Sequence, residues 1–353
     1  MAYWQHWQKR AQIKGDVVFF SYTTPGIEKE ASQVFVWDLD KTYLDTTIDS
    51  VSGLLQTIVE KATNKKNVPG TEMLLQCLAR RTQVQTQDGN PHFPIYFISA
   101  SPPQMEERII EKMALDQLHP LGCFFKDNLK NLKPGRWWRL TKQVGFKVQA
   151  LLQLRTRLRE DVRQICWGDD SESDAIIYNL YSDICSRRLS TNDLRYVLED
   201  LRCTGDQIDE ILLLQSQIPH RDPVEKIYIN LAKDTDPDYY LKFGRRTLPT
   251  MNTFQATLDL FQFGFLDLKD VYEIAENMTT NYDFTSEELM TSFQELLRRG
   301  VIQEKTYQKL KPFFCERGLL HSSFSPDMPL VNDETVIHDP WIPDRIDYLN
   351  DFR

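Results

Sequence analysis

The sequence predicts an α/β fold: a parallel sheet flanked by helices, with a helical insertion and a helical C-terminal extension. Short apolar runs of strand length alternate with stretches of helical period, as in Val34 to Trp37, Ile95 to Ile98, Ile165 to Trp167 and Val224 to Ile229. Three of these runs are followed at their carboxyl ends by chemistry-bearing residues, where open α/β sheets bind ligands. A chain of 353 residues, 41% hydrophobic and 26% charged, is also long enough to bury such a core with room for one further subdomain.

Residues 1–33 form an N-terminal segment with one apolar run, Val17 to Phe20, read as an edge strand or hairpin arm. The spacing of Trp4 and Trp7 is read as a docked helix rather than a membrane anchor. Residues 34–266 form the core. Its first strand ends in Asp38-Leu39-Asp40-Lys41-Thr42, and an amphipathic helix of modest length is expected over Leu44 to Lys61. A second helix starts after Pro69-Gly70. The strand Ile95 to Ile98 ends in Ser99-Ala100-Ser101, Glu106 to Leu118 is helical, and Cys123 to Phe125 is a short strand. Lys147 is placed at the start of a helix over Val148 to Arg159, and Ile165 to Trp167 ends in Gly168-Asp169-Asp170 through Asp174. Two helices at about 190–217 read as an insertion, because the strand pattern resumes at Val224. Residues 267–353 form the extension. Thr285 and Glu288 make a capping box there, and a repeat of helix, Gly and two apolar residues near Gly264 and Gly300 suggests a duplicated hairpin. The Pro- and Asp-rich end, anchored by Trp341 and Ile342, is expected to wrap the domain.

The six cysteines are scattered singly, which favours buried reduced thiols over a zinc site. No apolar run reaches membrane-spanning length, and the first residues lack a secretory pattern, so a cytoplasmic protein is expected. The net charge of −9 is unevenly spread. Residues 126–163 hold eleven basic side chains against three acidic ones, a local +8 that leaves −17 for the rest. That stretch suggests contact with an anionic surface, with Trp137 and Trp138 beside it; a nucleic acid is the other anionic partner it allows.

Asp38, Asp40, Ser99, Asp169 and Asp174 converge because parallel strands place their carboxyl ends together, with Lys147 shortly before the third acidic strand end. Alone, each has a plainer role: a turn after a strand, a helix cap, a surface lysine. An EF-hand loop is excluded, since Tyr43 stands where that loop requires Gly. Several carboxylates in one crevice call for a divalent cation, and Mg²⁺ suits an all-oxygen shell without His. A hydroxyl and a lysine add donors for a phosphoryl group, so a phosphorylated substrate is expected.

In this order the motifs Asp38-Leu39-Asp40-Lys41-Thr42, Ser99, Lys147 and Gly168-Asp169 with Asp174 resemble those of the haloacid dehalogenase superfamily of phosphatases. Over about Val34 to Phe265, Pro69-Gly70, Ser99 to Pro102, Pro134-Gly135, Phe146-Lys147 and Asp169 through Tyr178 resemble the catalytic domain of the actin-patch-associated phosphatidate phosphatase family, distantly lipin-like. Lys41, Pro103 and Asp170 depart from that family's usual residues. The resemblance implies a Rossmannoid three-layer fold, and the short spacing from Thr42 to Pro69 leaves room for only a minimal cap. The resemblance also implies Mg²⁺-dependent hydrolysis of a phosphomonoester, phosphatidate or another lipid phosphate, through an aspartyl-phosphate. By the same resemblance Asp38 is the nucleophile, Asp40 the general acid and base, and Thr42 a support of the loop. Ser99 and Lys147 hold the phosphoryl oxygens. Asp38, the Asp40 carbonyl, Asp169 and Asp174 surround the metal, with Asp170 able to substitute for either of the last two. The alternatives are a phosphatase for a nucleic-acid, protein or small-molecule phosphate, and a non-catalytic phospholipid-binding module.

Overall fold

The computed structural model describes residues 7–23, 26, 30–45, 66–85, 91–127, 143–171, 173–326, 330 and 340–350. Of the helix expected over Leu44 to Lys61, Leu44 and Asp45 belong to the turn after the first strand and 46–61 lie outside the described residues, as does the basic stretch 128–142 with Trp137 and Trp138.

The strands are β1 (Ala11–Lys14), β2 (Val17–Ser21), β3 (Gln33–Asp38), β4 (Val84–Gln85), β5 (Pro91–Ser99), β6 (Pro120–Lys126), β7 (Arg163–Asp169), β8 (Val224–Asn230) and β9 (Thr247–Thr250). Eight of them form one sheet in the order β1-β2-β6-β5-β3-β7-β8-β9, and β4 pairs with β5. From β6 to β9 the neighbours are parallel; the β1–β2 hairpin adds two antiparallel strands at one side. Taken in chain order, the parallel strands lie 3-2-1-4-5-6, so the order reverses between β3 and β7. That switch point is where a doubly wound sheet opens a crevice at its carboxyl edge.

Alternation along β3 explains the three layers. Phe35 and Trp37 face one core and Val34 and Val36 the other. The first core is covered by α1 (Thr71–Arg81), α2 (Glu106–Leu115), α7 (Thr253–Gln262), α8 (Leu268–Asn281), α9 (Ser286–Arg298) and α10 (Glu304–Glu316). The second is covered by α3 (Val144–Arg155), α4 (Asp174–Cys185), α5 (Thr191–Asp200) and α6 (Gly205–Gln217). Every residue of α3 and α4 is buried, which a pair of helices achieves only when sandwiched between sheet and further helices. Across the first face Trp37 stacks on Trp167 at 4.2 Å and Trp167 on Tyr228 at 4.5 Å, tying β3, β7 and β8 together at the level of the switch point.

Several boundaries differ from the sequence reading. Helix α3 begins at Val144, four residues before the expected start; its N-cap, Gln143, makes no side-chain cap bond, so no capping signal marked it. Strand β9 was unforeseen because Pro249 sits in it; as the edge strand it pairs only with β8, where a missing N–H is tolerated. Helix α10, which contains Pro312, was likewise unforeseen. The Thr285 capping box forms as expected. The repeat near Gly264 and Gly300 is a shared helix stop: Phe265 N donates to Leu260 O and Val301 N to Leu296 O, each at 3.0 Å. Trp7 is buried in the core, as docking requires. In the tail, Ile346 and Tyr348 are the buried anchors rather than Ile342. The cysteines are all free thiols, and no described helix is long and apolar enough to cross a membrane.

Candidate active site

Asp38 is the last residue of β3, on the face that carries Val34 and Val36, and is 1% exposed. The strand stops there. Lys41 takes a positive φ of 57°, and Lys41 N donates to Leu44 O at 2.8 Å while Leu44 N donates to Leu39 O at 2.9 Å. Residues 39–44 therefore make a compact turn instead of a strand continuation, and the two carboxylates part. Asp38 turns towards α3, whereas Asp40 Oδ2 accepts hydrogen bonds from the Ser99 and Ser101 hydroxyls, each at 3.1 Å. Thr42 is fully buried in the turn, and its hydroxyl has no hydrogen-bond partner among the described residues.

Lys147 lies in the first turns of α3 and is 1% exposed. Its Nζ is 2.7 Å from Asp38 Oδ1 and 2.6 Å from Asp174 Oδ1. Asp174 opens α4, and its Oδ2 accepts the Asp169 backbone N–H at 3.3 Å. Asp169, at the end of β7, accepts the Ser171 N–H. One oxygen from each of Asp38, Asp169 and Asp174 lies within 4.8 Å of the others. Lys147 pairs with two of three buried carboxylates that lie close together, and crowding of like charge at low exposure favours a further cation. Oxygen-only donors at that spacing fit a hard divalent ion such as Mg²⁺.

Neighbouring residues hold this arrangement. Tyr178 OH donates to Trp167 O at 2.7 Å, tying α4 to β7. Burial first, and the charge of Asp174 second, push the phenol well above its ordinary range, so it stays a donor. Gly168 is required on steric grounds: a Cβ there would lie 2.3 Å from both Cβ and Oδ2 of Asp174. Gly168→Ala is accordingly expected to lower stability by about 1–3 kcal/mol through overpacking. Denaturant unfolding beside a Mg²⁺ titration checks this, with both stability and cation affinity expected to fall together.

The structure thus brings together Asp38, Lys147, Asp169 and Asp174, and places Asp40 with Ser99. Asp170 is engaged elsewhere, its Oδ2 accepting from Ala232 N at 2.8 Å and from the Thr235 hydroxyl. It braces the loop after β8 and is not among the three clustered acids. Ser101, Gly168 and Tyr178 stand within the motifs that carry the resemblance but were given no role at the site. The i, i+2 spacing of Ser99 and Ser101 was the available signal for the first. A second acidic group, Asp270 and Glu273 with Cys77, is neutralised by Arg80 and Arg81, and burial pushes the Cys77 thiol up to about 12.

No curated protein and no solved structure matches the chain. A family model does: that described as phosphatidate phosphatase APP1, catalytic domain, over residues 34–189. The matched stretch runs from β3 past α4 and contains Asp38, Asp40, Ser99, Lys147, Asp169 and Asp174, so this segment of the chain is similar to the phosphatidate phosphatase APP1 catalytic domain.

Proposed function

We propose that the chain is a Mg²⁺-dependent phosphatase of the haloacid dehalogenase type, acting on phosphatidate or a closely related lipid phosphate. The buried cluster of Asp38, Asp169 and Asp174, with Lys147 bridging the first and the last, carries this reading, supported by the family match over the same residues. Asp38, Asp169 and Asp174 would hold the metal, together with the Asp40 carbonyl; when bound it supplies positive charge against the phosphoryl oxygens.

The rest follows from the chain's own residues. An Asp38 oxygen forms a bond to phosphorus as the bond from phosphorus to the alcohol oxygen breaks. Asp40, held by Ser99 and Ser101, gives the leaving oxygen its proton and then takes one from the attacking water, so that free phosphate leaves and the Asp38 carboxylate is restored. Lys147 supplies a donor to the non-bridging oxygens, joined by Ser99 when its single hydroxyl hydrogen turns from Asp40 to the phosphoryl group while Ser101 keeps its bond to Asp40. Thr42, packed inside the turn, holds Asp40 relative to β3.

The anionic surface expected of residues 126–163 now rests on 128–142. Lys126, Lys147 and Arg155 are buried; Arg159 and Arg163 pair with Asp161 and Glu225, and Arg157 donates to Gln12 and covers Phe19. We assign peripheral contact with an anionic membrane to the basic residues of 128–142, which follow β6 in sequence and lie outside the described residues.

A substrate panel tests the reading: phosphatidate in mixed micelles, an oligonucleotide 5′-phosphate, a phosphopeptide and an aryl phosphate, each with Mg²⁺ and with EDTA. Turnover of phosphatidate at least tenfold above the others, lost in EDTA, is expected. Preference for the oligonucleotide or phosphopeptide would move the activity to a macromolecular phosphate.

A further inference from the structure

At the free edge of the sheet, β9 and the 3-10 helix Pro237–Phe243 enclose a cavity with the ends of α7 and α9 and the tail residue Trp341. Its volume is about 310 Å³, within the range of small-molecule sites. None of the clustered carboxylates lines it. Lys226, which does, pairs with Ile165 in the sheet, whereas Asn230 pairs with Asp169. Lys226 thus lies four residues of β8, about 13 Å of strand, below the level of Asp169, while the opposite end of the lining reaches Pro249, the β9 partner of Ile229.

The lining divides into two chemistries. Its charged side chains are Lys226, Arg245, Arg299 and Asp259, three cations against one acid. Lys226 is 5% exposed, with Nζ 3.0 Å from Asp259 Oδ2 and about 5 Å from the ring centres of Phe263 and Trp341. The same Asp259 oxygen also accepts the Tyr228 hydroxyl at 2.8 Å, so the one acid is shared between two donors. Arg299 has Glu295 beside it at 3.1 Å, yet burial still pushes its guanidinium down from the ordinary value. The apolar wall is open to solvent at its rim, where Leu241 is 54% and Phe263 47% exposed.

We propose that this cavity binds a small anionic amphiphile, its carboxylate or phosphate head facing Lys226, Arg245 and Arg299 and its apolar body lying against Leu241, Phe263 and Trp341. Asp259 and Glu295 pair with Lys226 and Arg299, so three cations exceed the two acids beside them by one; a bare anion answers that surplus but leaves the apolar wall in water, and a neutral apolar molecule does the reverse. Only a ligand with both halves satisfies the whole lining. The inference stands apart from the proposed phosphatase activity, since it uses none of the same side chains.

Calorimetric titration of the full chain with decanoate, decanol and inorganic phosphate tests it. Saturable one-to-one binding of decanoate is expected, at least tenfold tighter than either of the others. Arg245→Glu and Leu241→Glu change exposed side chains and are expected to keep the wild-type unfolding temperature while each weakening decanoate tenfold or more. Asp38→Asn should bind it as wild type does. Absent saturable binding, equal binding by the two surface variants, or loss of binding in Asp38→Asn overturns the proposal. Decanol or phosphate binding as tightly as decanoate overturns it as well, leaving a purely apolar or purely anionic site.

Discussion

Asp38→Asn is expected to remove phosphate release by at least about ten-thousandfold while leaving the protein folded. The amide is a poor nucleophile and carries no charge, so the bond to phosphorus cannot form from that side chain. Stability should hold or rise, because the change removes one of three carboxylates crowded into 4.8 Å, and Lys147 keeps its 2.6 Å contact with Asp174. Phosphate release and thermal unfolding, measured on the same preparation, separate these effects. An Asn variant retaining a tenth or more of the activity would remove Asp38 from the chemistry.

Lys147→Met has the opposite profile for stability. It takes away the cation that bridges Asp38 and Asp174 and leaves three buried carboxylates facing one another. Removing one partner of a buried pair costs about 3–5 kcal/mol, a large share of a domain's net stability. Activity falls too, since a donor to the phosphoryl oxygens is lost. The informative measurement is urea unfolding with and without Mg²⁺. If these carboxylates form the cation site, Mg²⁺ should stabilise the variant by more than it stabilises wild type. A variant that is destabilised yet indifferent to Mg²⁺ would make Lys147 a core pairing residue with no part in a cation site.

The two profiles bear on what could be read from sequence. The central strands were legible because β3, β5, β7 and β8 are apolar runs bounded by polar residues, and parallel pairing then puts Asp38, Ser99 and Asp169 at one edge whatever lies between them. Lys147 was legible as a residue near a helix start, while the start itself was set four residues late because α3 begins at Val144 after an N-cap, Gln143, that makes no side-chain cap bond. The parting of Asp38 from Asp40 was not legible. It depends on Lys41 adopting a left-handed conformation that residues other than Gly seldom take, and no local signal announces that. Strand β9 was hidden by Pro249, which reads as a breaker until the strand is known to be an edge. The cavity beside it draws on residues from Lys226 to Trp341, and side chains that distant in sequence meet only through tertiary packing.

The most direct test of the central claim is capture of the phosphoryl group on the protein. Phosphatidate labelled in its phosphate would be mixed with excess protein and Mg²⁺, quenched in acid, and the protein-bound label mapped by peptide and treated with hydroxylamine. Transient label is expected on the peptide that contains Asp38, released by hydroxylamine as an acyl phosphate is, and absent from Asp38→Asn. Phosphate release with no label on the protein at any time point, or label on another residue, would contradict that claim.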